Sequence, residues 1–216
     1  MPVMLLILLN AEVLQQIIRT MEVISIKCPN CGASITTKTK KCEYCFSDIM
    51  VKSFNALSNM PLPQVNKYMA AYRSAAAEHP DHNDVNASIG LCFLKLKKYD
   101  QALEALEKAQ ADNFEDATPF FYAAVARLKG RKPFLCSRPE IDAMETDINA
   151  ALSIDPRPEQ YYFLSYIGRD YFKRKFLKHE PSWESLMEEA VNNGLSPSDV
   201  EEFHAMVGTP IDVSLD

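Results

Sequence analysis

Two pairs of cysteines constrain this 216-residue chain more than any other feature of its sequence. Cys28 and Cys31 form the first pair, Cys42 and Cys45 form the second, and two residues separate the thiols within each pair. A gap of two residues lets one tight turn direct both sulfur atoms at one point, so two such turns provide the four thiolates of a tetrahedral site. The spacing predicts that these four cysteines bind one zinc ion. Because protein ligands fill all four positions, the predicted zinc is structural and not catalytic.

Two other uses of the four cysteines stay open at this point. Four thiolates can also hold iron. The same cysteines could instead form disulfides, although the rest of the chain is long enough to bury a core without covalent cross-links. A redox motif of the thioredoxin type is not predicted, because no βαβ pattern follows either pair.

The residues around the cysteines predict a small β module. Val23–Ile26 is a candidate strand before the first pair, and Ile49–Val51 is an apolar run after the second pair. Gly32 follows the first pair and readily adopts a positive φ, whereas Phe46 takes the equivalent position after the second pair. Over residues 24–53 the sequence resembles the zinc-ribbon family. The resemblance implies a module that metal binding stabilises, because so short a segment has almost no core of its own.

The composition of the remaining chain favours helices. The chain contains only six glycines, while Ala, Leu, Glu and Lys are frequent. Its formal net charge of −6 argues against nonspecific nucleic-acid binding by the whole protein. Because thiolate ligands need a reducing environment, we expect a cytoplasmic protein.

A helical repeat follows the cysteine-rich segment. Between residues 84 and 110, Ile89, Gly90 and Phe93 belong to a first helix, a turn follows at 97–100, and Ala102 and Leu106 lie on one face of a second helix. Gly90 is expected to let a neighbouring helix approach closely. This unit resembles a tetratricopeptide repeat, a helical hairpin of about 34 residues. The spacing of the first three residues recurs at positions 167, 168 and 171. The recurrence supports an array of such hairpins.

The two resemblances together imply a mainly α fold. We expect a tetratricopeptide-like array of helical hairpins over residues 54–208, preceded by a small N-terminal β zinc ribbon at 24–53. Three or four irregular hairpins are expected, with an inserted loop at 131–139 and two capping helices at about 182–192 and 196–207. Residues 1–23 are an N-terminal extension or a short amphipathic helix in this prediction, and 209–216 are a tail. The apolar run at 3–9 is too short to span a bilayer.

The sequence contains no Gly-rich phosphate loop, no nucleophile elbow and no paired-histidine zinc helix. We therefore predict a non-enzymatic protein-interaction scaffold or adaptor. In the tetratricopeptide family the concave face, formed by the first helix of each hairpin, commonly holds an extended peptide or a partner's helix. The repeat alignment places these residues there: Lys95, Lys129, Tyr162, Arg169, Phe172 and Lys173, with the apolar Ala87, Leu91 and Leu94. Such a groove suits an acidic-aromatic peptide of a partner protein.

An alternative function is regulation in association with nucleic acid, through the zinc ribbon. Lys38, Lys40 and Lys41 lie between the cysteine pairs, and Tyr44 and Phe46 could stack on bases. Contact with a protein is the preferred interpretation, because three lysines are few and the chain as a whole is acidic.

Overall fold

The computed structural model describes residues 23–111, 113 and 115–210 of the chain. Within them, two short strands, β1 (Ser25–Lys27) and β2 (Ser34–Thr36), precede nine α-helices. The helices are α1 (Asn55–Ser58), α2 (Leu62–Glu78), α3 (Asn83–Lys95), α4 (Tyr99–Gln110), α5 (Thr118–Leu128), α6 (Arg138–Ile154), α7 (Pro158–Ile167), α8 (Trp183–Asn192) and α9 (Pro197–Val207). A short 3-10 helix, Pro133–Leu135, lies between α5 and α6, and a π-helical segment, Gly168–Lys173, continues α7. The predicted mainly α fold with a small N-terminal sheet is confirmed.

The predicted ends of the chain fall almost wholly outside the described residues. Of the extension predicted at 1–23 only Val23 is described, and of the tail predicted at 209–216 only Thr209 and Pro210 are described. Within the described ranges, every helix is too short or too polar to cross a bilayer.

Three helical hairpins form most of the molecule. α3 packs against α4, α5 against α6, and α7 against α8, while α4 contacts α5 and α6 contacts α7 where consecutive hairpins meet. α2 packs against α3 as the second helix of a preceding hairpin would. Each helix thus contacts mainly its neighbours in the chain, as is typical of a helical-repeat array.

The helix predicted at about 182–192 is not a cap. α8 packs along α7 as the second helix of the third hairpin, and its buried residues are Leu186 and Ala190. The prediction was wrong because the connection between α7 and α8 contains the π-helical segment and is longer than in the other hairpins. Of the two helices predicted as caps, α9 alone lies outside the three hairpins.

Two glycines let the helices of a hairpin approach closely, as the sequence predicts for Gly90. A Cβ atom added to Gly90 would lie 2.5 Å from Cγ of Leu106 in α4. One added to Gly168 would lie 3.0 Å from Cβ of Trp183 in α8. Both distances are shorter than van der Waals contact between carbon atoms. The glycine of the repeated three-residue pattern therefore meets the same packing requirement in the first and third hairpins.

Residues 49–60 cover one end of the predicted groove. We call the side of α3, α5 and α7 that the repeat alignment assigns to the groove the first-helix face. Ser88 Oγ in α3 donates to the Val51 carbonyl oxygen at 3.1 Å, and the Phe54 amide donates to the Tyr122 hydroxyl in α5 at 2.9 Å. The apolar residues predicted to line this end are all buried: Ala87, Leu91 and Leu94. A segment of the same chain therefore lies where a partner peptide was expected.

α9 covers the other end of the first-helix face. It contacts both α5 and α7. His204 Nε2 lies 2.8 Å from the Tyr162 hydroxyl oxygen, and the Phe203 ring packs edge-on against Tyr162 with ring centres 5.3 Å apart. Burial lowers the pKa of His204, which keeps the imidazole neutral at neutral pH. The last helix thus closes the groove from the C-terminal side.

Replacement of Gly90 by alanine tests the close approach of α3 and α4. In an exposed helix this change stabilises by about 1 kcal/mol, but here the added methyl overlaps Leu106. We expect Gly90→Ala to lower the free energy of unfolding by about 1–3 kcal/mol, measured by urea denaturation. In a double-mutant cycle, Leu106→Ala should remove much of the penalty of Gly90→Ala, because it removes the overlapping atoms. Additive effects of the two changes would contradict this explanation.

Candidate metal centre and binding surfaces

The four cysteines predicted as metal ligands lie together. Their sulfur atoms are all within 4.8 Å of one another, with Cys28 Sγ 3.6 Å from Cys45 Sγ and Cys31 Sγ 3.7 Å from Cys42 Sγ. A disulfide bond needs about 2.05 Å, and all six cysteines are free thiols. A tetrahedron with metal–sulfur bonds of about 2.3 Å has edges of about 3.8 Å, which these separations match. The cluster is therefore suited to hold one metal ion.

Two matching turns present the thiols. The Gly32 amide donates to the Cys28 carbonyl oxygen in the first turn, and the Phe46 amide donates to the Cys42 carbonyl oxygen in the second turn, both at 2.9 Å. The first turn joins β1 to β2, which pair antiparallel with Ile26 opposite Ile35. The two turns have the same backbone hydrogen bond, and together they bring the four sulfur atoms into one cluster.

Phe46 occupies a backbone position that favours glycine. Its φ is 59°, compared with 78° at Gly32 in the equivalent position. A bulky L-residue rarely adopts this left-handed conformation, which costs about 1–2 kcal/mol. The Phe46 side chain is 74% exposed and that of Tyr44 is 72% exposed. Neither backbone preference nor burial accounts for a phenylalanine at this position.

The thiols of the cluster differ in acidity. Interactions with the Ser47 hydroxyl and amide lower the pKa of Cys45 to about 6. A hydrogen bond from the Ala33 amide lowers the pKa of Cys31, but desolvation and the neighbouring thiols raise it to about 12 overall. A metal ion that binds the cluster must therefore displace protons, so acid weakens its binding.

Two tyrosines of α2 attach residues 24–53, which carry the four cysteines and which we call the metal module, to the helices. The Tyr72 hydroxyl donates to the Ile49 carbonyl oxygen at 2.7 Å and accepts from the Val51 amide at 3.2 Å. The Tyr68 hydroxyl donates to the Asp48 carbonyl oxygen at 3.3 Å. Burial raises the pKa of both tyrosines, so both stay protonated at neutral pH. The module also contributes apolar side chains to the same core as the helices: Ile24, Ile26, Ile35, Ile49 and Val51.

Two of the six residues predicted to line a groove are buried. Tyr162 is 7% exposed beneath α9, and Phe172 is 2% exposed. The Phe172 ring stacks on the imidazole of His179, with ring centres 4.2 Å apart. Because other parts of the chain cover both side chains, neither is available to a partner in this conformation.

Two predicted lysines are engaged within the chain. Lys95 Nζ donates to the Ser58 carbonyl oxygen at 2.5 Å, where residues 49–60 cover the first-helix face. Lys129 lies at the end of α5 and pairs with Asp100 at the start of α4, with Nζ and Oδ1 2.6 Å apart. Both lysines therefore have partners within the chain.

The remaining two predicted residues lie together beside Trp183, which the sequence analysis did not single out. The Arg169 guanidinium lies 5.8 Å from the centre of the Trp183 ring, and Lys173 Nζ lies 4.6 Å from it. The tryptophan was missed because it begins α8, ten residues beyond the π-helical segment that carries Lys173. Spacing within one helix does not reveal such a contact.

A cavity of about 240 Å³ remains between the two covered ends of the first-helix face. Its apolar wall includes Phe121, Phe203 and Met206, and Glu159 and Glu202 lie at its polar side. Burial, together with the charges of Asp199 and Glu159, raises the pKa of Glu202. The cavity shows that residues 49–60 and α9 do not fill the predicted groove completely.

Comparison with known proteins adds little to this description. No protein-family model and no curated protein matches the sequence. Among solved structures, the crystal structure of MamA is similar over 67% of this chain and 69% of that chain, with 12% sequence identity and a TM-score of 0.44. The architecture of the chain is accordingly defined by its own helices and hairpins.

The backbone of Phe46 provides a test of the second metal turn. Phe46→Gly should raise the free energy of unfolding by about 1 kcal/mol, because glycine adopts the observed φ without strain and little buried surface is lost. Gly32→Ala is the matched opposite change, and it should destabilise by a similar amount although its Cβ meets no atom within 4 Å. Thermal and urea unfolding with metal bound would measure both. A destabilised Phe46→Gly variant would show that the side chain supports the turn.

Proposed function

We propose that the chain is a non-enzymatic protein-interaction scaffold whose four cysteines hold one structural zinc ion. The observation that carries the proposal is the pair of exposed aromatic side chains, Tyr44 and Phe46, on the second metal turn. Aromatic side chains dominate the energy of many protein interfaces, since they bury large areas at low entropic cost. A bound metal would hold this turn rigid and so present both rings in one arrangement.

The metal proposal rests on the donor set. Four sulfur atoms at tetrahedral spacing suit zinc, and Cys28, Cys31, Cys42 and Cys45 would leave it no open coordination position. Such an ion stabilises the fold and activates no substrate. The free thiols are also consistent with the reducing environment of the cytoplasm, which we propose as the location.

A protein is a better partner for this turn than nucleic acid. Lys41 pairs with Asp48, with Nζ and Oδ1 3.0 Å apart. Glu43, directly before Tyr44 in the sequence, adds a negative charge. Lys38 and Lys40 are then the only lysines between the cysteine pairs without a carboxylate partner among the described residues, whereas nucleic-acid binding depends on several cations that contact phosphates. An acidic chain with so few cations beside these two rings favours contact with a protein.

The metal can be identified directly on the purified protein. We expect one zinc per chain by elemental analysis and no absorbance in the visible range, whereas iron bound by four thiolates is coloured. Cys45→Ser should lose the metal and much of the thermal stability, since structural zinc sites supply about 10 kcal/mol or more. Acidification should release the ion as the thiolates become protonated. Cys92→Ala removes a buried thiol outside the cluster and should keep one zinc per chain.

The partner surface can be tested by placing a photo-crosslinking amino acid at position 46, in cells that express the protein. A partner protein should crosslink there and not from position 191, an exposed valine on α8. With the partner purified, Phe46→Gly and Tyr44→Ala should each weaken binding roughly tenfold or more, while the zinc content stays unchanged. Binding that survives both changes, or a crosslink to nucleic acid, would contradict the proposal.

A further inference from the structure

A second exposed phenylalanine follows the π-helical segment that continues α7. The side chain of Phe176 is 97% exposed, and its φ is 58°. Its amide donates to the Lys173 carbonyl oxygen at 3.1 Å, and the Leu177 amide donates to the Phe172 carbonyl oxygen at 2.9 Å. These are the two hydrogen bonds of a Schellman motif, in which Phe176 takes the position where glycine is usual.

The end of α8 shows the same motif with the usual residue. The Gly194 amide donates to the Val191 carbonyl oxygen at 2.9 Å, the Leu195 amide donates to the Ala190 carbonyl oxygen at 3.0 Å, and Gly194 has a φ of 91°. The end of α3 has the same motif with Lys97, whose φ is 57°. A lysine side chain is solvated there, whereas Phe176 has the same unfavourable backbone conformation and leaves a large apolar ring without burial. Contact with something outside the folded chain would explain its presence.

Two further exposed leucines lie on this turn and on the 3-10 helix beside the π-helical segment. Leu177 is 46% exposed, and Leu135 is 64% exposed on the 3-10 helix that packs against the π-helical segment. We call Leu135, Phe176 and Leu177 the apolar tip.

Positive charge surrounds the apolar tip. Residues 169–178 contain five basic residues and one acidic residue, Asp170, which pairs with Arg174 at 2.7 Å. Aromatic rings hold two of the lysines in place: Lys173 lies over Trp183, and Lys175 Nζ lies 3.9 Å from the centre of the Tyr171 ring. The basic residues without a carboxylate partner among the described residues are Arg169, Lys173, Lys175 and Lys178. Their charges are free to meet an anionic surface.

We infer that this surface docks the protein on an anionic lipid bilayer. The apolar tip would enter the interfacial region, and the four unpaired cations would contact lipid headgroups, which is the combination that holds peripheral proteins on membranes. A bilayer accepts a projecting phenylalanine without a complementary pocket. Nucleic acid offers stacking to Phe176 but no apolar contact for the two leucines. The net charge of −6 repels the rest of the chain from the same surface and so orients the basic side toward it.

Vesicle sedimentation with the metal-bound 216-residue chain tests this inference. Wild-type protein should bind vesicles of phosphatidylcholine with phosphatidylserine, should bind pure phosphatidylcholine poorly, and should be released by salt. Phe176→Gly should reduce the partition coefficient about tenfold, because the largest apolar side chain is lost. The same change should leave the free energy of unfolding unchanged or increase it, since glycine adopts this backbone conformation without strain. Lys173→Glu with Lys178→Glu should abolish the preference for phosphatidylserine.

Phe46→Gly is the matched control, because it also replaces an exposed phenylalanine of positive φ, on the metal turn. It should bind vesicles as wild type does. The vesicle assay therefore tests membrane docking independently of the proposed partner surface. Trp183, the only tryptophan, reports on the site through its fluorescence when vesicles are added. Equal vesicle binding by wild type and Phe176→Gly would overturn the inference. Binding of a single-stranded oligonucleotide or an acidic protein at this surface, with no binding to vesicles, would overturn it too.

Discussion

Residues 49–60 connect the metal module to the helical hairpins, and the other parts of the described structure depend on that connection. The segment begins with Ile49 and Val51, whose backbone groups hydrogen-bond to Tyr72 of α2. It then contacts α3 and α5 and includes the short helix α1, where Lys95 of α3 donates to the Ser58 carbonyl oxygen. Since the second pair of cysteines directly precedes this segment, a metal that fixes the cysteines also fixes where the segment starts.

This connection changes where the protein can bind a partner. In a tetratricopeptide-like array the groove of the first helices is the expected site, but here residues 49–60 and α9 cover most of it. Several polar groups of this face already have partners in the chain, as the bonds of Tyr122 to the Phe54 amide and of Ser88 to the Val51 carbonyl oxygen show. A partner peptide would have to replace bonds that are already made. Exposed turns outside the groove therefore become the favoured binding surfaces.

Both exposed turns carry a phenylalanine where the backbone favours glycine. At Phe46 and Phe176 the φ angles are 59° and 58°, and both side chains project into solvent. Folding alone would select glycine at each position, as it does at Gly32 and Gly194 in the corresponding turns. Lys97 and Lys129 also have a positive φ. What separates Phe46 and Phe176 from these lysines is a large apolar ring that such a turn leaves in solvent. The surroundings of the two phenylalanines then distinguish them, since Lys41 near the first is paired with Asp48, whereas the second lies in a segment, 169–178, with five basic residues and one acidic residue.

The sequence by itself determined the four-cysteine cluster, the helical hairpins and the close approach at Gly90. These features depend on short spacings, because two thiols in one turn or a glycine on one helix face are set by residues near each other in the chain. That Arg169 and Lys173 bind a partner stays a prediction of the sequence. Only the tertiary structure decided that Tyr162 lies beneath α9 and that residues 49–60 cover the first-helix face. Those contacts join segments far apart in the chain, and periodicity within one helix carries no information about which distant segment packs on it.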